Sequence, residues 1–152
     1  MAAFETKHFG NISFDPQAII EFPRGLPGFE ERRKFLALEF EHSKPLVFLQ
    51  SLEDPGICFV TAPVRAVEPE YVLRVSEEDL RLLGLDPARQ PRIGPDVLCL
   101  SVVSIEESGT TANLLAPIVV NVRNLQAVQA IGPESVYSHR FPLVVEEATV
   151  CS

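Results

Sequence analysis

Cysteine is scarce in this chain, basic charge is outnumbered, and no apolar stretch is long. Of 152 residues only three are cysteines, Cys58, Cys99 and Cys151. They are too few, and odd in number, for a disulfide framework. Cys58 and Cys99 fall inside apolar strand patterns, where a free thiol packs as a small hydrophobe; Cys151, beside the chain end, is expected to be exposed. Thirteen Lys and Arg face 21 Asp and Glu, a net charge of −8. That sign repels phosphate backbones, so direct binding to nucleic acid is not expected. An acidic chain suits a basic partner instead, although the same charge serves solubility by itself. No window approaches the roughly eighteen apolar residues of a membrane helix, and Met1 to Lys7 carries no basic-then-apolar leader. The chain reads as a reduced, cytoplasmic protein.

Catalytic constellations are missing too. His8, His42 and His139 have no Cys or carboxylate at ligand spacing, so no metal site is implied. No GxGxxG, GxxxxGK[ST] or GxSxG occurs, which removes the usual phosphate cradles and the nucleophile elbow. Ser101 and Ser104 sit in a strand pattern near Cys99 and take structural roles. The acid pairs Glu53-Asp54, Glu77-Glu78 and Glu106-Glu107 fall at turns or a helix start, as solvated charges or caps. The reading is non-enzymatic, with no cofactor.

What is present is a packed globule. Hydrophobic residues make up 46% of the chain, mean hydropathy is +0.14, and the length suits one domain with a real core. Residues 4–9 and 12–14 flank Gly10-Asn11, a hairpin signal. Asp15-Pro16 opens a short turn. Pro23 to Gly28 is punctuated by proline and glycine, so Gly25 and Gly28 call for positive φ or close approach around Pro27. Strand patterns follow at 35–40, 46–51, 57–62 and 71–75. Ser76 with Glu77, Glu78 and Asp79 is an N-cap and acidic first turn, Leu80, Leu82 and Leu83 the buried side, and Gly84 the C′ stop. Strands at 97–105, 117–122 and 125–131 complete the chain. This predicts a mainly β fold, a largely antiparallel barrel or sandwich with one short helix.

The stretch Thr111 to Asn121, TANLLAPIVVN, joins a polar turn to an apolar strand, with Pro117 where the strand begins. Such a run needs burial on both faces, with Asn113 and Asn121 hydrogen-bonding at its two ends. This stretch resembles the most recognisable segment of the flagellar assembly factor family FliW. So does Phe22 to Glu30, similar to the family's F-x-x-G-[IL]-P-G-F-E turn. Phe48-Leu49-Gln50-Ser51 followed by Asp54-Pro55 and Phe59, and Pro69-Glu70-Tyr71, are similar in turn. Ala127, Gln129, Ile131, Tyr137, Arg140, Pro142 and Leu143 fall on its C-terminal pattern. Leu125, Gln126 and Val128 depart from it, standing where the family often carries a more basic strand; Phe141 stands where a His is common.

The resemblance implies a small β-barrel-like (split barrel) fold over residues 1–143, with 144–152 a loosely held tail. It also implies two partners: the translational repressor CsrA, and newly made flagellin exchanging with it, so that repression of flagellin translation is relieved. By charge and loop position alone, Glu53, Asp54, Glu68, Glu70, Glu106 and Glu107 are candidates for docking a basic repressor. Two alternatives stay open. One is a chaperone for flagellin alone. The other is a ligand-binding or enzymatic barrel in which Gln50, Asn113 and Asn121 line a pocket, though buried amides more commonly satisfy backbone groups.

Overall fold

A computed structural model of the chain describes residues 2–131 and 137–143. β1 (Ala2–Thr6) and β2 (Gly10–Phe14) form their own antiparallel hairpin. Its bend lies earlier than the expected Gly10-Asn11 turn. Thr6 pairs with Gly10, and the Thr6 hydroxyl accepts from Phe9 N–H while donating to Gly10 C=O, closing a loop of Lys7, His8 and Phe9. Asp15 then caps a 3-10 turn, Pro16–Ala18, by accepting from Gln17 N–H.

The remaining strands are β3 (Ile20–Glu21), β4 (Lys34–Leu38), β5 (Val47–Ser51), β6 (Cys58–Pro63), β7 (Val97–Glu106), β8 (Gly109–Ala112), β9 (Ile118–Asn121), β10 (Ala127–Gln129) and β11 (Phe141–Leu143). Seven of them pair in the order β10-β9-β7-β6-β5-β4-β3, antiparallel throughout. The far end of β7 pairs with β8 instead, and β8 with β11. The two ends of the sheet meet at one parallel bridge, Glu21 to Gln126, where Glu21 N–H donates to Leu125 C=O at 3.0 Å. The result is the expected mainly β, antiparallel barrel-like fold, held together at its seam by that bridge rather than by a ladder.

Three local expectations need correction. Residues 71–75 have the period of a strand, with Tyr71, Leu73 and Val75 buried and Val72 and Arg74 exposed, but form no ladder. Side chains take their backbone groups: Val72 N–H donates to Tyr137 Oη, while Val75 exchanges two bonds with the Gln90 amide. The predicted helix exists as α2 (Glu77–Leu82), but a one-turn helix, α1 (Val64–Val67), precedes it. Four residues carry no helical period; α1 directly follows the end of β6, with Val64 fully buried at its first position. Thr111 and Ala112, read as part of a polar turn, end the strand Gly109–Ala112, to which the longer β7 gives a partner.

α2 starts and stops as its sequence dictates. Ser76 Oγ accepts from Asp79 N–H, and Gly84 (φ +74) and Leu85 donate back to Arg81 and Leu80 carbonyls in a Schellman ending. A Cβ at Gly84 would stand 2.9 Å from Asn124 Nδ2, a second reason for glycine there.

Two cores lie on opposite faces of the β7–β9–β10 sheet. Leu100, Ile118, Val120 and Ala127 face the barrel interior with Ile20, Phe22, Phe35 and Leu49. Val97, Cys99, Val119 and Val128 face outward, under Leu80 of α2, Leu83 at its C-cap and the 71–75 segment. Val119 is fully buried in that outer core. Val119→Ala should therefore destabilise by about 1–3 kcal/mol through lost burial and a residual cavity. Urea unfolding monitored by circular dichroism measures this; a loss below about 0.5 kcal/mol would contradict the packing described.

Candidate functional site

The Pro- and Gly-rich turn folds over one end of the barrel. Gly25 (φ +65) is required there twice over, because a Cβ would collide with the backbone of Glu30. Gly28 also has positive φ, and its N–H donates to the Glu30 carboxylate. Leu26 and Phe29 bridge across the turn, Leu26 is buried in the barrel core, and Phe29 packs edge-on to Phe59 at 5.3 Å.

Beneath this turn a cleft of about 430 Å³ opens at the barrel mouth. Leu26 and Pro27 form one wall; Phe59 of β6, Val102, Ser104 and Glu106 of β7 form another. Thr111, Asn113, Gln129, His139 and Arg140 complete it. A second cleft of about 360 Å³ adjoins it through the shared residues Pro27 and Gln129, and runs between Arg24, Gly25, Glu30 and Asp79 on one side and Ala127–Gln129 on the other. Both arginines along this groove are held by acids. Arg24 reaches Glu78 at 2.6 Å and Asp79 at 3.6 Å, and Arg140 reaches Glu106 at 2.9 Å.

The loop Asn113–Pro117, which carries the chain from β8 to β9, satisfies its own backbone. Asn113 Oδ1 accepts from Leu115 and Ala116 N–H at 3.1 and 3.0 Å. Gln129 Nε2 donates to Ala116 C=O, Tyr71 Oη donates to Leu114 C=O, and Leu114 N–H donates to Ser138 C=O. Pro117, without an N–H, accepts the last ladder bond from Ala130.

The candidate residues read from sequence do not all meet. Pro27, Asn113 and Glu106 line the mouth, and Gly25 the adjoining groove. Gln50 is buried elsewhere, its amide donating to Ser51 and Pro55 carbonyls. Asn121 donates to Leu83 C=O at 2.7 Å and so pins the end of α2 to the sheet, beside a different cleft lined by Arg89, Arg92 and Arg123. The three amides therefore share no pocket. Nor do the acids form one patch. Strand register puts the Glu53-Asp54 and Glu106-Glu107 turns at one end of β6 and β7, whereas Glu68 and Glu70 follow the other end of β6.

Several of these carboxylates are already occupied. Glu53 accepts from Arg33 and Lys34 N–H, and Asp54 from Gly56 N–H. The Lys34 backbone bond leads the causes that hold the Glu53 pKa below its ordinary 4.5. Burial pushes the Cys58 thiol up to about 11 and Cys99 up to about 12, which makes both poor nucleophiles. Arg24, Glu78, Asp79 and His139 were not read as site residues from the sequence; Glu78 and Asp79 were read only as the acidic first turn of the helix. Arg24 and Glu78 lie 54 positions apart, a separation that no local pattern spans.

Fold and cleft together define a class: a small, open antiparallel barrel whose mouth is lined by self-satisfied loops and paired charges. A family model described as FliW protein matches residues 3–143. The chain is 35% identical over 142 residues to the flagellar assembly factor FliW of Caldanaerobacter subterraneus subsp. tengcongensis, covering 93% of this chain and 92% of that one. It is 33% identical over 141 residues to the Bacillus licheniformis protein of the same name, covering 91% and 94%. A crystal structure of the flagellar assembly factor FliW superposes with a TM-score of 0.82 at 29% identity, covering 96% of this chain and 99% of that one. The chain belongs to the FliW family of flagellar assembly factors.

Two outcomes follow from the geometry. Asn113→Ala strands two loop N–H groups and should cost about 1–3 kcal/mol, whereas Asn113→Asp keeps the acceptor and most of the stability; thermal melts of the pair distinguish them. Glu53 has a depressed folded-state pKa, so its contribution is present above pH 4.5 and lost as pH falls through the lower folded value. Glu53→Gln should accordingly flatten the acid limb of the stability–pH profile; equal slopes for the two proteins would refute that linkage.

Proposed function

We propose that this flagellar assembly factor is a non-enzymatic, cytoplasmic regulator that binds a CsrA-type translational repressor and newly made flagellin in exchange for one another. When flagellin leaves, the freed protein sequesters the repressor, and translation of flagellin resumes. The observation that carries this reading is the barrel mouth. Leu26 and Pro27, Phe59, Thr111 and Asn113, Gln129 and Arg140 come from separate stretches of the chain, each on a segment that resembles the family, and they line one cleft. A rigid, concave, mixed apolar and polar surface suits capture of a protein segment. Charge supports the choice of partner. A protein of net charge −8 complements a repressor that must present basic residues to RNA, and that complementarity acts chiefly on association rate. The exposed acids Glu70 and Glu107 are free to contribute in this way, whereas Glu53 and Asp54 serve their own turn.

Titrating the protein into a CsrA–RNA complex at two salt concentrations tests the proposal. RNA is expected to be released, more effectively at low than at high salt, because exposed charges are screened within about 10 Å at 0.1 M. Glu70→Lys with Glu107→Lys should slow association at low salt without lowering the melting temperature. An RNA complex left intact at both salts, together with no flagellin recovered by pulldown from lysate, would overturn the proposal. Recovery of flagellin alone would reduce the protein to a flagellin chaperone.

A further inference from the structure

We infer that the open seam beside β10 is the docking site, and that its occupant is an extended, basic segment of a partner chain that adds as a strand along Gln129. The inference rests on the proposed function, and identifies the basic repressor as the partner that inserts there.

The phase of the β9–β10 ladder makes the case. Asn121 N–H donates to Gln126 C=O and Ala130 N–H to Pro117 C=O. Between these lies Val119 opposite Val128, which must be the remaining hydrogen-bonded pair, because such pairs alternate along an antiparallel ladder. The backbone groups of Ala127 and Gln129 therefore point away from β9, toward the groove between β10 and the 24–30 turn. On that side, among the described residues, the barrel closes only at the Glu21–Gln126 bridge. Beyond it no described strand pairs with this edge, so the Ala127 C=O and both backbone groups of Gln129 face the groove as ladder positions. An unpaired edge of this kind is a template for a partner strand.

The reason for the gap is local. Asn121 C=O accepts from Leu125 N–H while Asn121 N–H donates to Gln126, a bulge with Leu125 at φ +57. That bulge turns the Leu125 carbonyl onto Glu21. Past Glu21 the chain leaves the edge: Phe22 N–H donates across to Arg33 C=O, and the turn folds over the mouth. A slot is left with a backbone edge on one side and Pro27 on the other.

Charge selects the occupant. The two adjoining clefts are lined by Arg24, Arg140 and His139 together with Glu30, Asp79 and Glu106. Both arginines are bound by acids, Arg24 by Asp79 and by Glu78 beside the groove, Arg140 by Glu106. The balance is acidic, and a strand with basic side chains complements it.

Gln129 supplies the test. Its N–H faces the groove, so proline there leaves the β9 ladder intact, as on other edge strands, while removing the donor a partner strand needs. Gln129→Ala removes the side-chain bond to Ala116 but keeps that N–H. Affinities of parent, Q129A and Q129P for purified CsrA and for purified flagellin are measured alongside their melting temperatures. Q129P should bind CsrA at least tenfold more weakly than Q129A, with flagellin affinity equal in the two. In the parent, hydrogen exchange of the Gln129 amide should slow at least tenfold when CsrA saturates the protein, a readout that needs no variant. Equal CsrA affinities for Q129A and Q129P at matched melting temperatures, or unchanged exchange at Gln129, would overturn the inference and leave the proposed function standing. Loss of flagellin binding alone in Q129P would overturn the choice of partner. A parent that binds neither protein would defeat the proposed function, and this inference with it.

Discussion

Four residues of β9, Ile118 to Asn121, have water on neither face, and the rest of the fold is arranged around that constraint. A strand with side chains alternating to opposite faces needs two cores, not one. The chain supplies the inner core by curling the sheet on itself and the outer one by laying α2 and the 71–75 segment across its back. Asn121, the last residue of the strand, ties the two together. Its amide donates to the final turn of α2, and its carbonyl oxygen Oδ1 accepts from Arg123 N–H at the start of the next turn. The position is buried at 3% exposure, where an unpaired amide would be costly; both of its polar atoms are paired.

What was legible in the sequence follows from where information is local. The strands at 47–51, 58–63, 97–106 and 118–121, the Ser76 cap and the Gly84 stop are written in adjacent residues, and they stand where expected within a few positions. Asn113 and Asn121 at the two ends of one motif were readable for the same reason. The 71–75 segment was not, because a period of two specifies which side chains are buried and not what the backbone bonds to; Tyr137 and Gln90 take those backbone groups from 65 and 15 positions away. The cleft was legible only in part. Its members sit on recognisable segments, but nothing local shows that the 24–30 turn lies over Asn113 and Gln129.

Leu125 is the sharpest mismatch between local preference and structure. Leucine in the left-handed region costs on the order of 1–2 kcal/mol, and glycine or asparagine usually holds such a position. Here the side chain packs against the inner core, and the same backbone twist presents the carbonyl that accepts from Glu21. One strained residue thus closes the barrel at a single point. Partial burial of its side chain against the inner core works against that strain.

That economy bears on binding. Ordering loops and side chains is among the larger costs of association. At the barrel mouth much of this ordering is already present in the free protein: the Asn113 amide, the Gln129 side chain and Tyr71 hold the 113–117 loop, and acids hold Arg24 and Arg140. Groups committed in this way lose little further freedom when a partner docks, so the mouth serves as a preformed surface rather than as a set of free hydrogen-bonding groups. The backbone edge of β10 differs, because its geometry is fixed by the ladder on its other side and, beyond the Glu21 bridge, its outward groups meet no described strand. The open edge has its own origin: the bulge at Leu125 brings the sheet ends together at Glu21 and lets them part immediately beyond it.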